Sequence, residues 1–271
     1  MSALSEDEAV WAAYGRFFAR ARQAGIEVLA LDGPPDSIHE PQRLAEKIRK
    51  VLALVEPGAL AGIQLDIEPY LLPGFFADES GPRRYLDAID VFREAIGGRT
   101  RLSMVVPFWL TAKTVGGRPL GFAVMDRADE VAVMSYRTIL DELEEIADDT
   151  LRYGELIGTP VWLVVETTSL PVEQRVILTR DPRPDLAAAV FDYDTHRLDL
   201  APFPTTATDG HRRDWFRVHH RITVRPERLT FAGHSRSAVT AAVQALQRVV
   251  LQRSFAGVLI HDLDGFQALA E

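Results

Sequence analysis

No cysteine occurs among the 271 residues. That removes disulfides, thiolate metal ligands and a cysteine nucleophile at one stroke. It leaves the redox compartment open. No run of lysines and arginines stands out, and the formal net charge is -9. Nucleic acid and anionic membrane surfaces are therefore not expected partners. No basic stretch followed by an apolar one marks a signal peptide, and no apolar run reaches membrane-spanning length. On these grounds the sequence as written reads as a soluble, cytoplasmic protein; an extracytoplasmic one fits if the N-terminus is truncated. What is present is ample apolar material, 47% of residues, with an ordinary 25% charged. One large α/β domain, or two modest ones, suits that length and composition.

The hydrophobic pattern has a beat. Residues 5–24 read as a helix, with Ser5 and Glu8 at capping-box spacing. The strand "IEVLALDG" follows. Helices near 40–55 and 81–96 lead into "GIQLDIEP" and "RLSMVVPFW". "EVAVMSYR" is a strand, 139–157 a helix, and "PVWLVVETT" a strand again. A helix near 236–253 then leads to "FAGVLIHDLDG". The strands are continuous apolar runs, as in a parallel sheet covered by helices. Residues 170–227 break the beat. They hold short alternating pieces and read as a β-rich insertion within a single domain. Six strands are clear, and "RLTFAG" is a possible seventh. A closed barrel needs eight. The chain also opens on a helix, so the expectation is a (β/α) barrel incomplete at its start. Its sheet should show a gap, or a substitute strand, between its first and last members.

Chemistry in such a fold collects where strands end. Asp32 ends the first strand here, and Asp66 and Glu68 the second. Phe108 and Trp109 end the third, Tyr136 and Arg137 the fourth, Glu166 the fifth. His261, Asp262 and Asp264 end the last. Asp66 and Glu68 are two apart, so they share a face. Two carboxyls side by side cannot both ionise cheaply, and one pKa should rise. A carboxylic acid protonated near neutrality is what a glycosidic oxygen needs. Tyr136 can steady the developing charge, and Phe108 and Trp109 can stack on sugar rings. Each residue alone also has a plain reading as cap, ion-pair partner or packing group. His211, His219 and His220 in the insertion read as solvated or structural, and no metal site is assigned.

These motifs resemble the glycoside-hydrolase-like (β/α)8 barrels, chitinase-like family 18 in particular. The family's D-x-x-D-x-D-x-E falls on Ala61, Gln64, Asp66 and Glu68, so half of it is degenerate. The resemblance implies Glu68 as general acid and Asp66 as the partner that orients a substrate N-acetyl group. "MSYR" resembles the family's M-x-Y-D, with Tyr136 kept and Arg137 in place of the acid. His261 and Asp262 stand where the family has a Trp. A second resemblance competes. Glu68-Pro69 is similar to the N-E-P of the large retaining clan, and Glu166 falls where that clan has its nucleophile; Ile67 replaces the Asn. Either way the expected catalytic set is Glu68, Asp66, Tyr136 and Glu166. Asp32, Phe108, Trp109, Arg137, His261 and Asp262 are expected to bind substrate. The expected ligand is a carbohydrate, with no cofactor, and the oligomeric state is left open. The alternative is a non-catalytic carbohydrate-binding or structural barrel.

Overall fold

The structure is a computed structural model that describes residues 8–195, 197–203 and 210–271. The chain forms two compact units. One runs to Thr168 and resumes at Arg228; the other is Ser169–Glu227.

The first unit is α/β, of the (β/α)-barrel type. Helix α1 (Glu8–Gln23) comes first. The cap expected of Ser5 lies outside the described residues. Strand β1 (Leu29–Asp32), helix α2 (Pro41–Leu54) and strand β2 (Gly62–Leu65) follow. Then come α3 (Ser80–Ile96), β3 (Arg101–Pro107), α4 (Leu120–Met125) and β4 (Glu130–Met134). Helix α5 (Leu140–Ile157) and strand β5 (Val161–Glu166) close this run. In the second unit lie β6 (Glu173–Arg180), β7 (Ala189–Asp192), β8 (Arg197–Leu200) and β9 (Arg213–Val224). Helix α6 (Arg236–Val249), strand β10 (Phe255–His261) and helix α7 (Leu263–Ala268) return to the first.

The sheet of the first unit has the order β1-β2-β3-β4-β5-β10, parallel throughout. Spatial order follows chain order, and a helix joins each successive pair. That is the barrel topology. Among the described residues β1 and β10 pair with one neighbour each, so the sheet stays open. The expected gap between first and last strands is thus present. "RLTFAG" forms no regular strand. It makes one parallel bridge, Thr230 beside Glu166, sealed by Phe231 N–H donating to the Glu166 carbonyl at 2.8 Å.

Side-chain alternation builds two apolar layers. Ile63, Leu65, Leu102, Met104, Val106, Val131, Val133, Leu163 and Val165 point into the main core beneath the helices. Fully burying one such side chain is worth about 1.5–3 kcal/mol. The other face of the sheet carries a small cluster: Val105, Ala132 and Val164, edged by Met134, Tyr136, Trp162 and Leu259. Polar groups interrupt that second face. Gln64 Nε2 donates to Ser103 Oγ at 3.2 Å across β2 and β3, and Ser103 is fully buried. Left-handed Gly97 and Gly158 stop α3 and α5, where L-residues are strained. Ser235 caps α6 by accepting from Ala238 N–H at 3.1 Å.

The second unit is one antiparallel sheet, order β8-β7-β9-β6. Its apolar interior is small, with Ala189 and Val190 buried and Trp215 edge-on to Phe203 at 5.5 Å. Charge pairs supply much of its contact network. Asp192 accepts from His211 Nδ1 at 2.8 Å and from Arg213 Nε at 3.1 Å. Asp194 stands beside His211, so three potential ligand groups cluster within 4.8 Å. Arg213 already matches Asp192 there.

Among the described residues no helix is long and apolar enough to cross a membrane.

Candidate active site

The site grows from the end of β2. Burial alternates from Ile63 to Tyr70. Ile63, Leu65, Ile67 and Pro69 are buried, while Gln64, Asp66, Glu68 and Tyr70 are half-buried. The pairing with β1 continues one step past the strand, since Asp66 N–H donates to the Asp32 carbonyl at 2.9 Å. Gly33 makes that step possible. Its φ is +156°, and a Cβ there would stand 2.4 Å from the Asp66 carbonyl carbon. Gly33→Ala is therefore expected to destabilise the fold by about 2–4 kcal/mol. Urea unfolding at neutral pH measures this; an unchanged midpoint would refute the close approach.

Asp66 Oδ1 is buried with no hydrogen-bond partner among the described residues. Burial, then the charge of Glu68, pushes the Asp66 carboxyl up to about 6, and His261 pulls back weakly. Glu68 Oε1 accepts a hydrogen bond from the Tyr70 hydroxyl. The Tyr70 ring meets Trp109 edge-on, centroids 4.8 Å apart, and Trp109 meets Phe76 at 6.3 Å. Tyr85, fully buried on α3, feels both Asp66 and Glu68. Its phenol, like those of Tyr70 and Tyr136, is held above the ordinary tyrosine range, first by burial and then by the nearby acids.

Glu166 ends β5 on the same face as Val164, and His261 ends β10 on the same face as Leu259; the two residues lie opposite each other in register. His261 Nδ1 donates to Glu166 Oε2 at 2.9 Å. Glu166 Oε1 accepts from Thr167 N–H at 2.8 Å, and from Thr168 N–H and Oγ1 at 2.6 Å each. Burial alone would raise its pKa; the bonds from His261 and Thr168 outweigh this and hold it below the usual range. The same bond raises the pKa of His261, whose ring is half exposed. Tyr136 lies 6.2 Å from the His261 ring and within electrostatic reach of Glu166, Asp66 and Glu68.

Five of the expected residues thus share one neighbourhood at the strand ends: Asp66, Glu68, Tyr136, Glu166 and His261. Trp109 joins them through Tyr70. The other four have separate engagements. Asp32 shares the helix-facing side of β1 with Ala30. Its carboxylate takes Lys47 of α2 at 2.6 Å and the Gly33 N–H at 2.9 Å. It lines a hollow of about 630 Å³ with Ser37, His39, Arg43 and Lys47. Arg137 lies 5.2 Å over the Phe108 ring and contacts Glu142 at 3.5 Å. Asp262 caps α7 by accepting from Gly265 N–H at 2.7 Å. Sequence reasoning missed Tyr70, Tyr85 and the Gln64–Ser103 pair. Strand alternation gives no signal for Tyr70, which a 3-10 turn after Pro69 brings back to Glu68.

No family model matches the sequence, and no curated protein matches it. Among solved structures, the chain is similar to a chitinase from Rhizomucor miehei. The identity is 14%, the alignment covers 94% of this chain and 82% of that one, and the TM-score is 0.47. It is similar to a glycoside hydrolase family 18 N-acetylglucosaminidase from Paenibacillus barengoltzii at 11% identity. That match covers 93% and 82% of the two chains, with a TM-score of 0.48. A third likeness is to the spore cortex-lytic enzyme SleL of Bacillus cereus, at 9% identity, 92% and 59% coverage, and a TM-score of 0.44. At such identities and scores these likenesses assign no role to any residue.

Proposed function

We propose that the protein is a glycoside hydrolase acting on a glycan that carries N-acetylamino sugars, with Glu68 as general acid. One observation carries this reading. Two carboxyls project side by side from one strand end, and the buried one is driven to hold a proton up to about pH 6. Neighbouring carboxyls, one of which keeps a proton toward neutral pH, are what cleavage of a glycosidic bond calls for. In the proposed step the proton leaves Glu68 for that oxygen, and the bond from oxygen to the anomeric carbon breaks. By the route the family resemblance implies, the substrate's own N-acetyl carbonyl oxygen then bonds to the anomeric carbon, and Asp66 orients that group. Water later attacks the same carbon as its bond to the N-acetyl oxygen breaks, restoring the N-acetyl group, and the water gives its proton to Glu68, which restores the acid. Tyr136 donates to the developing charge, and Trp109 offers an apolar surface to a sugar ring.

Glu166 fits the nucleophile's role poorly. Its Oε1 already accepts three hydrogen bonds, and its Oε2 is held by His261. A nucleophile must offer a lone pair to carbon. Holding His261 at the rim is the better reading. Trapping of a covalent glycosyl intermediate on Glu166 would restore the retaining-clan mechanism.

The test is a panel of glycans with free reducing ends, incubated with the purified protein and read by chromatography. Cleavage of N-acetylglucosamine oligomers is expected. Binding without cleavage of any glycan would favour the alternative, a carbohydrate-binding barrel. A pH profile sharpens the test. Asp66 gives up its proton near pH 6 and then sets a charge beside Glu68, so kcat/KM should fall as pH rises through that value. A flat profile from pH 5 to 8 would separate catalysis from this pair.

A further inference from the structure

Glu68 does not hang freely from the strand end. The chain turns at once into a short 3-10 turn, Pro69–Leu71, in which Leu71 N–H donates to the Glu68 carbonyl at 3.0 Å. That turn brings Tyr70 back over the carboxylate, and its hydroxyl donates to Oε1. The phenol is itself fixed. Its ring is partly buried against the main core and lies edge-on to Trp109. An aromatic wall formed by Trp109 and Phe76 thus stands behind one oxygen of the acid.

We propose that Tyr70 is the positioning residue of the acid: it pins Glu68 Oε1, so that Oε2 alone carries the proton and meets the substrate. This inference rests on the reading of Glu68 as general acid. The physical reason is orientational. An unpinned carboxyl spreads its proton over two oxygens and several rotamers, and a misplacement of about 1 Å can cost 10²-fold in rate. There is also an electrostatic link: the Tyr70 phenol feels the charges of both Glu68 and Asp66. The other ionisable groups facing the pair are Tyr85 from α3, Tyr136 from the end of β4 and His261 from β10. Burial and the bond to Glu68 keep the Tyr70 phenol protonated at any working pH. It therefore acts as a fixed donor and does not itself titrate.

Tyr70→Phe keeps the ring against Trp109 and removes only the donor. On N-acetylglucosamine oligomers kcat is expected to fall about 10–100-fold with KM nearly unchanged. On a 4-nitrophenyl glycoside the loss should be within about threefold, because that leaving group needs little protonation. The alkaline limb of the pH profile should move up by about one unit. Difluorotyrosine at 70, a stronger donor of the same shape, should move it down. Equal losses on both substrates, or a limb that stays in place, would overturn the proposal. A readout independent of turnover is the exchange of the Tyr70 hydroxyl proton with water by NMR, expected to be slow in the wild type and fast in Glu68→Ala. Without that protection the positioning role fails. If the wild type cleaves no glycan, the functional reading falls, and the NMR exchange still judges the Tyr70 contact.

Discussion

Glu68→Gln is expected to reduce kcat on N-acetylglucosamine oligomers by about 10²–10⁴-fold, the usual worth of a positioned general acid. KM should change little, because Gln keeps the shape and still accepts from Tyr70. Stability should hold as well. The substitution removes the neighbouring charge that helps to lift Asp66, so the folded state gains if anything. Steady-state kinetics with a thermal melt in parallel measures all three. The chemistry of the leaving group supplies an internal control. A 4-nitrophenyl glycoside leaves readily without protonation, so its first step should survive the substitution far better than that of an oligosaccharide. Wild-type rates in the Gln variant would reject Glu68 as the acid on either mechanism. A protein that binds sugar equally well with Gln or Glu, and cleaves with neither, would be a binding barrel.

Asp66→Asn is expected to impair activity and strengthen the fold at the same time. The carboxyl has an ordinary value of 3.8 and is raised to about 6 in the folded state. Between those values the folded protein keeps a proton that the unfolded chain releases. Stability therefore falls as pH rises through that window, and above it the folded state bears the full cost of the buried charge. Two pH units correspond to at most about 3 kcal/mol; the partial solvent access of Asp66 brings this nearer 1–2 kcal/mol. Asp66→Asn should restore that amount at pH 7 and flatten the slope between pH 4 and 6, as urea titrations at several pH values would report. Its activity should drop more than that of Glu166→Gln, because Asp66 adjoins the acid and Glu166 is spent on His261 and the Thr167–Thr168 turn. If Glu166→Gln were the more damaging change, the substrate-assisted route would be wrong.

Much of this site was legible in the sequence, for a reason particular to strands. Continuous apolar runs announce a buried parallel sheet, and the first polar residue after each run marks its end. Alternation then puts Asp66 with Glu68 without any coordinates. The same rule, applied to β1, sets Asp32 on the face of Ala30, toward α2 and Lys47. Looking only at strand ends, and not at faces, is what grouped Asp32 with the cleft. Arg137 and Asp262 each follow a residue of the site, Tyr136 and His261, and so stand on the opposite step of the alternation. Local partners decide there: Phe108 and Glu142 for one, the start of α7 for the other. Tyr70 was obscured by Pro69, which reads as the start of a loop, although burial keeps alternating through it. "RLTFAG" reads as a strand by composition, and only one of its residues finds a backbone partner of that kind.

The hydrogen bond between Gln64 and Ser103 bears on how many protons the site can hold. Gln64 stands two residues behind Asp66 on the same face, where the related motif places another acid. An amide cannot take a proton from a carboxyl at neutral pH, and this one is turned toward a serine on the adjacent strand. Gln64 therefore adds no titrating group behind Asp66. The strand offers two carboxyls at its end, Asp66 and Glu68, and an amide, not a third acid, below them. On the proposed reading, any proton passed along this strand moves between those two groups only.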